Sequence, residues 1–175
     1  ADGKTNWTAN EVLQSLQRAG LTPYTHYVEY GTMENLSPAP SFDPTYYIQQ
    51  KVQALNANLA SGQTPWTTTS VLQAMHDAGV TPLAHYEQYG ANENLNPNKY
   101  FDQSYYLSAK AKELNTAGSQ GRTDWTASEV LGGIEAAGLT PYEHFATYGV
   151  NEGLNPSTAF DVQSDLKDKA AALNA

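Results

Sequence analysis

The sequence predicts an all-α fold built from three tandem repeats of about 59 residues, each with three short helices. Three observations predict it. Trp7, Trp66 and Trp125 stand at equal steps along the chain, and a fixed internal period is the mark of a repeat architecture. Capping patterns follow the first and third of these tryptophans, with apolar residues behind them at helical spacing. Prolines and glycines punctuate the chain at the same step.

The register holds across nearly the whole unit. Gly20, Gly79 and Gly138 coincide, as do Pro23, Pro82 and Pro141, His26, His85 and His144, and Gly31, Gly90 and Gly149. Glu34, Glu93 and Glu152 follow, then Pro38, Pro97 and Pro156, the Phe-Asp pairs ending at Asp43, Asp102 and Asp161, and the Leu-Asn pairs ending at Asn56, Asn115 and Asn174. This places the repeats at 1–57, 64–116 and 123–175, joined by the short polar linkers 58–63 and 117–122. A unit of that length is marginal on its own, so neighbouring units are expected to pack together.

The first helix of a unit opens on a capping box, Thr8 with Glu11 and Thr126 with Glu129, in which the threonine hydroxyl accepts a free backbone N–H and the glutamate reaches back. Val12, Leu13 and Leu16 form its apolar stripe, and Gly20 is its left-handed stop. The tryptophan just before the capping threonine stands where a buried hydrophobic staple belongs. Thr22-Pro23 starts a second helix of about two turns that ends at Gly31, because proline at the first helical position loses no hydrogen bond. A loop from Thr32 to Ser41 carries Pro38 and Pro40. Asp43 then caps the third helix, whose buried stripe is Ile48, Val52 and Leu55, or Leu107, Ala111 and Leu114 in the second unit.

Composition narrows the function. The chain has 175 residues, 40% of them hydrophobic, and a formal net charge of −9, a balance that suits a folded chain over a disordered one. Without cysteine there is neither a disulfide framework nor thiolate metal chemistry, which fits a secreted bacterial protein that crosses membranes unfolded. Nine Lys and Arg against eighteen Asp and Glu, with no basic run, leave nothing to neutralise phosphates, so nucleic acid is set aside as a partner. No apolar run is long enough to span a membrane, and Ala1-Asp2-Gly3-Lys4 does not open a signal peptide, so the sequence reads as an excised segment.

The string AGLTPYEHFATYGVNEGLNP, from Ala137 to Pro156 and closing on Phe160-Asp161, resembles helical repeats of large secreted bacterial proteins, among them repeats-in-toxin-type proteins, adhesins and surface-layer proteins. Phe101-Asp102-Gln103-Ser104-Tyr105-Tyr106-Leu107 looks like the helix opening of the same group. The resemblance covers all three units and implies a folding motif with no catalytic residue to carry over. The third unit departs from it, with Ser164-Asp165 in place of the tyrosine pair. Three units of this length are also similar in plan to S-layer homology domains, although the Thr-Arg-Ala-Glu stretch of that family is absent here.

The candidate ligand-binding residues gather in the loop before the third helix: Glu34 and Asp43 in the first unit, Glu93, Asn94, Asn96 and Asp102 in the second, and Glu152, Asn155 and Asp161 in the third. They are hard oxygen donors of the kind calcium prefers, though their spacing is not that of an EF-hand. Met33 and Ser37 replace two of the asparagines in the first unit. Loop capping by asparagine, with aspartate as helix cap, explains the same residues without a metal. The three recurring histidines lack a second histidine or cysteine to complete a transition-metal set and are read as packed beside tyrosine. The three tryptophans and twelve tyrosines could offer platforms for a glycan, but most are expected in the core. No catalytic motif appears, and an enzyme seldom needs three equivalent sites.

The expectation is therefore a non-catalytic structural or adhesive segment of a larger secreted or cell-surface bacterial protein, with no cofactor. Its partners would be neighbouring domains of the same polypeptide or other surface proteins. The alternative is a ligand-binding module for calcium or a glycan.

Overall fold

The computed structural model describes residues 5–34 and 36–174. The outermost residues of the first and third expected repeats, 1–4 and 175, lie outside the described residues. Among the described residues the chain is helical and contains no strand. Nine α-helices follow one another there: α1 (Ala9–Arg18), α2 (Pro23–His26), α3 (Pro44–Ala57), α4 (Thr68–Asp77), α5 (Pro82–His85), α6 (Gln103–Ala117), α7 (Ala127–Ala136), α8 (Pro141–His144) and α9 (Val162–Leu173).

Local chemistry explains the starts and stops. Thr8 with Glu11 and Thr126 with Glu129 form the expected capping boxes. Thr67 forms one as well, with Ser70, whose hydroxyl accepts the Thr67 N–H at 2.8 Å. A serine serves because the box needs only one acceptor within reach. At the other end, Gly20, Gly79 and Gly138 adopt φ of +76°, +68° and +74°. The next residue then donates back across the glycine, Leu21 N to Leu16 O at 2.9 Å and Val80 N to Met75 O at 2.9 Å, which satisfies carbonyls that the helix end would otherwise orphan.

The second helix of each expected unit ends at its glycine, as expected, but its closing turn is π-helical. α2, α5 and α8 run on into π-helical turns at Tyr27–Gly31, Tyr86–Gly90 and Phe145–Gly149, and the chain keeps turning past each glycine. Leu95 N donates to Gly90 O at 2.8 Å and Leu154 N to Gly149 O at 2.9 Å. The left-handed residues that stop these turns are Asn94, at φ 55°, and Gly153, at φ 74°. Gly31 and Gly149 recur for another reason. A Cβ on Gly31 would lie 2.5 Å from Cδ2 of Tyr27, and one on Gly149 would lie 2.6 Å from the Tyr106 hydroxyl. Close approach of an aromatic ring, and not chain reversal, requires glycine there.

By packing, the chain divides into two compact units, Ala1–Ala84 and His85–Ala175, so the boundary falls inside the expected second repeat. In the first, α3 packs on α4, and Ile48, Val71, Leu72 and Met75 are buried. In the second, α6 packs on both α7 and α8. Phe101, Tyr106, Leu107, Ala111, Val130 and Ile134 form its core cluster, where the Tyr142 ring meets Phe101 edge-on at 5.3 Å and Phe145 meets Tyr106 at 5.6 Å. In both units a third-position helix is joined to the first-position helix that follows it in sequence.

Two burial expectations are corrected. The stripe Val12, Leu13 and Leu16 on α1 is exposed at Val12 and Leu13, whereas the same positions of α4 are buried. Two of the tryptophans are not core residues either: Trp7 and Trp66 are exposed, whereas Trp125 is half-buried and packs against the core cluster of the second compact unit. At Trp66 the main chain is what is held. The Asn56 side chain takes the Trp66 N–H at 2.8 Å and returns Nδ2–H to Trp66 O at 2.9 Å.

Candidate functional site

The loop that gathers the candidate donors is built around its own backbone. Asp43, Asp102 and Asp161 each accept the N–H three residues on, from Tyr46, Tyr105 and Ser164 at 2.9 to 3.0 Å, which ties each carboxylate to its own helix start. The asparagines act in the same way. Asn96 Oδ1 accepts Gln103 N and Asn155 Oδ1 accepts Val162 N, both at 2.9 Å, so each asparagine covers the first free amide of the next helix. Asn94 sits in the left-handed turn and its Oδ1 accepts the Ser104 hydroxyl at 2.9 Å. Ser37, the first-unit counterpart of Asn96, instead donates to Phe42 O at 2.7 Å.

The glutamates at the head of the loop face elsewhere. Glu34 Oε2 lies 3.7 Å from His26 Nε2. Glu93 is exposed, and its N–H donates to Tyr89 O at 3.0 Å. Glu152 Oε1 lies 2.8 Å from Lys110 Nζ on α6, while Asp161 at the foot of the same loop is spent on Ser164. Among the described residues, no three His, Cys, Asp or Glu side chains group closely enough to hold a metal ion.

The richest cluster of polar groups lies along α6, beside a groove of about 490 Å³ lined by Lys110, Trp125, Ile134, His144, Tyr148 and Glu152 among others. Lys110 Nζ is 2.8 Å from both Glu113 Oε2 and Glu152 Oε1, and only 10% of its side chain is exposed. Burial works against its charge, but the hydrogen bonds to Glu113 and Glu152 outweigh that and hold its pKa above the ordinary lysine value. One helical turn away, the Tyr106 hydroxyl meets His144 Nδ1 at 2.6 Å. Burial, with Glu152 and Glu113 nearby, pushes the phenol up. Burial pushes His144 down, with Glu152 opposing and Lys110 assisting. A phenol that keeps its proton donates to Nδ1, which assigns the imidazole proton to Nε2.

This arrangement is suited to holding. Lys110 stays charged between two carboxylates, His144 stays neutral as an acceptor, and the Tyr106–His144 and Lys110–Glu152 contacts tie α6 to α8 and to the loop after it. The tyrosine and histidine also explain one another's recurrence. Each of His26, His85 and His144 packs at a tilt against the tyrosine four residues on, Tyr30, Tyr89 and Tyr148, with ring centres 5.3 to 5.4 Å apart, and those tyrosines are about half exposed.

Sequence reasoning missed two participants. Lys110 belongs to a series, Lys51, Lys110 and Lys169, that recurs at the step of the tryptophans and could have been found by following that step through the third helix. Asn56 and Asn115 were visible as recurring residues, but their role as clasps of the next tryptophan depends on a partner ten residues away. No protein-family model, curated protein or solved structure matches the chain.

Proposed function

We propose that the chain is a non-catalytic structural or adhesive segment of a larger secreted or cell-surface bacterial protein, composed of three tandem units at 1–57, 64–116 and 123–175. The observation that carries this reading is the repeated joint between one unit and the next. Asn56 clasps the main chain of Trp66 and Asn115 that of Trp125, and α3 packs on α4 as α6 packs on α7. The recurring residues thus serve to join units, as a solenoid or array requires. The loop oxygens that recur are engaged in capping helices, which supports a folding role for them. Acidic surfaces keep a long array soluble, and neighbouring domains of the parent polypeptide or other surface proteins are its partners.

The test is a calcium titration by calorimetry, a glycan array and surface labelling of intact source cells with an antibody to this chain. The reading expects no saturable calcium heat, no reproducible glycan hit and labelled cells. Calcium binding in the micromolar to millimolar range, or absence of the chain from both the cell surface and the culture medium, would overturn it.

One observation favours a second reading, a glycan-binding module. Tyr30, Tyr89 and Tyr148 present half-exposed rings, each backed by a histidine at similar geometry. An aromatic ring held by its neighbour is a suitable platform for the apolar face of a sugar. Loss of an array hit in Tyr148→Ala would establish it.

A further inference from the structure

His144 stands between two partners. On α6 the Tyr106 hydroxyl meets its Nδ1 at 2.6 Å, and among the described residues that nitrogen is the hydroxyl's one hydrogen-bond partner. Tyr106 is fully buried, and Gly149 leaves the space in which its hydroxyl sits. The other partner is Glu152, in the loop after α8, which lines the same groove as His144 and whose charge favours a proton on the imidazole. Glu152 spends Oε1 on Lys110 and keeps Oε2. The first compact unit shows this second contact made: His26 and Glu34 occupy the equivalent positions, with Nε2 3.7 Å from Oε2. The other charged groups around the ring have partners of their own. Lys110 on α6 is bound to Glu113 and Glu152, Glu129 on α7 to Arg122 and the Thr126 N–H, and Glu143 on α8 itself to the Thr140 N–H.

We propose that His144 is a two-position switch: neutral, it accepts the Tyr106 hydroxyl, and protonated, it leaves that hydroxyl for Glu152 in the groove, the arrangement in which His26 meets Glu34. The reason lies in the count of donors. A proton taken from solvent binds Nδ1, the ring nitrogen with the free lone pair, so the imidazolium has two donors and no acceptor. If it stayed in place, the phenol would have to accept from it and turn its own O–H toward the rings of Phe101 and Phe145, leaving a buried donor unmatched. At Glu152 the imidazolium and Lys110 have a carboxylate between them instead. Tyr148 packs against His144 with ring centres 5.3 Å apart, so its half-exposed ring shifts with the imidazole. The groove lined by Lys110, Trp125 and Tyr148 thus changes shape and gains charge in acid. The switch lies within the second compact unit and goes beyond the array reading, since it operates whichever partner the chain meets.

Nuclear magnetic resonance of the whole chain, with the histidine and tyrosine ring signals followed from about pH 8 to about pH 4, tests the switch. Neutral His144 is expected as the Nε2–H tautomer, in contact with the Tyr106 ring, whose centre is 6.0 Å away. That contact should fade through the His144 midpoint, which lies below the ordinary histidine value, while far-ultraviolet circular dichroism keeps its helical signal. Two variants should move the midpoint in opposite directions. Tyr106→Phe keeps the ring and deletes the neutral partner, so the midpoint rises. Glu152→Gln keeps the shape and deletes the charged partner, so the midpoint falls. His26→Gln leaves it in place. A Tyr106 contact that persists below the midpoint overturns the proposal, as do two variants that leave the midpoint unmoved or shift it the same way. Loss of the helical signal at that same midpoint overturns it too, because the unit would then be unfolding and not exchanging partners. Should one variant fail to fold, the wild-type ring contacts and the other variant decide.

Discussion

Asn115 and Trp125 are paired through both ends of one amide: Trp125 N–H donates to Asn115 Oδ1 at 2.6 Å, and Asn115 Nδ2 donates to Trp125 O at 3.0 Å. The side chain thereby behaves as a short length of backbone, fixing where the chain from α6 re-enters as α7. The pair is half-buried. Asn115→Ala removes both bonds and leaves two main-chain groups unmatched, so it should cost about 1–3 kcal/mol in urea unfolding. Asn115→Asp keeps the acceptor and loses the donor, and its midpoint should fall between those of the wild type and the alanine variant.

The recurring glycines separate into two physical classes that substitution can distinguish. Gly138 has φ +74° and open space around it, so Gly138→Ala meets only backbone strain, on the order of 1 kcal/mol. Gly149 has no such φ, but its Cβ would collide with the Tyr106 ring, which is fully buried. Gly149→Ala should therefore cost more, about 1–3 kcal/mol from overpacking, and should alter the near-ultraviolet tyrosine signal, which Gly138→Ala leaves in place.

Trp66→Ala would cost roughly 3–5 kcal/mol if the ring were fully buried. It is 37% exposed and its main-chain bonds survive the substitution, so the expected loss is smaller, about 1–2 kcal/mol. A loss at the upper figure in a chemical denaturation series would place the indole in the core after all.

His144 makes the fold acid-sensitive. Its folded-state pKa lies below the ordinary histidine value because of burial, so between the two values the unfolded chain binds more protons than the native one. The stability from the neutral imidazole is present above the unfolded histidine pKa, near 6.5, and is lost as pH falls through the depressed folded value. The melting temperature of the wild type should accordingly drop on acidification below that point, and His144→Gln should drop less steeply over the same interval.

Lys110 stands between Glu113 and Glu152 with little of its side chain in water. Lys110→Met leaves the two carboxylates facing each other without their cation, so it should lower the melting temperature, and most at low salt, where the repulsion is least screened. Double substitution with Glu152→Gln should recover part of the loss. An additive double variant would show that Lys110 and Glu152 are not energetically coupled.

What the sequence determined by itself is local. Capping threonines, the left-handed glycines after the first helix of each unit and the aspartate caps of the third depend on residues three to five apart, and their hydrogen bonds form whatever else the chain does. The period of the tryptophans, and with it the all-α fold, is legible for the same reason. The loop asparagines are nearly so, since Asn96 and Asn155 reach only seven residues ahead.

Only the tertiary structure decided which copies of a recurring stripe are covered. Val12 and Val71 occupy the same position of the recurring period, each followed by Leu-Gln, yet one is exposed and the other buried, because burial depends on the neighbour a helix finds as well as on its own pattern. Tertiary packing likewise placed the boundary of the compact units inside the expected second repeat, with α6 spending its apolar face on α7. It also gave Gly149 its reason, a ring from α6 that approaches across more than forty residues of chain. Contacts over such separations are set by the free energy of burying whole faces together, which no window of sequence contains.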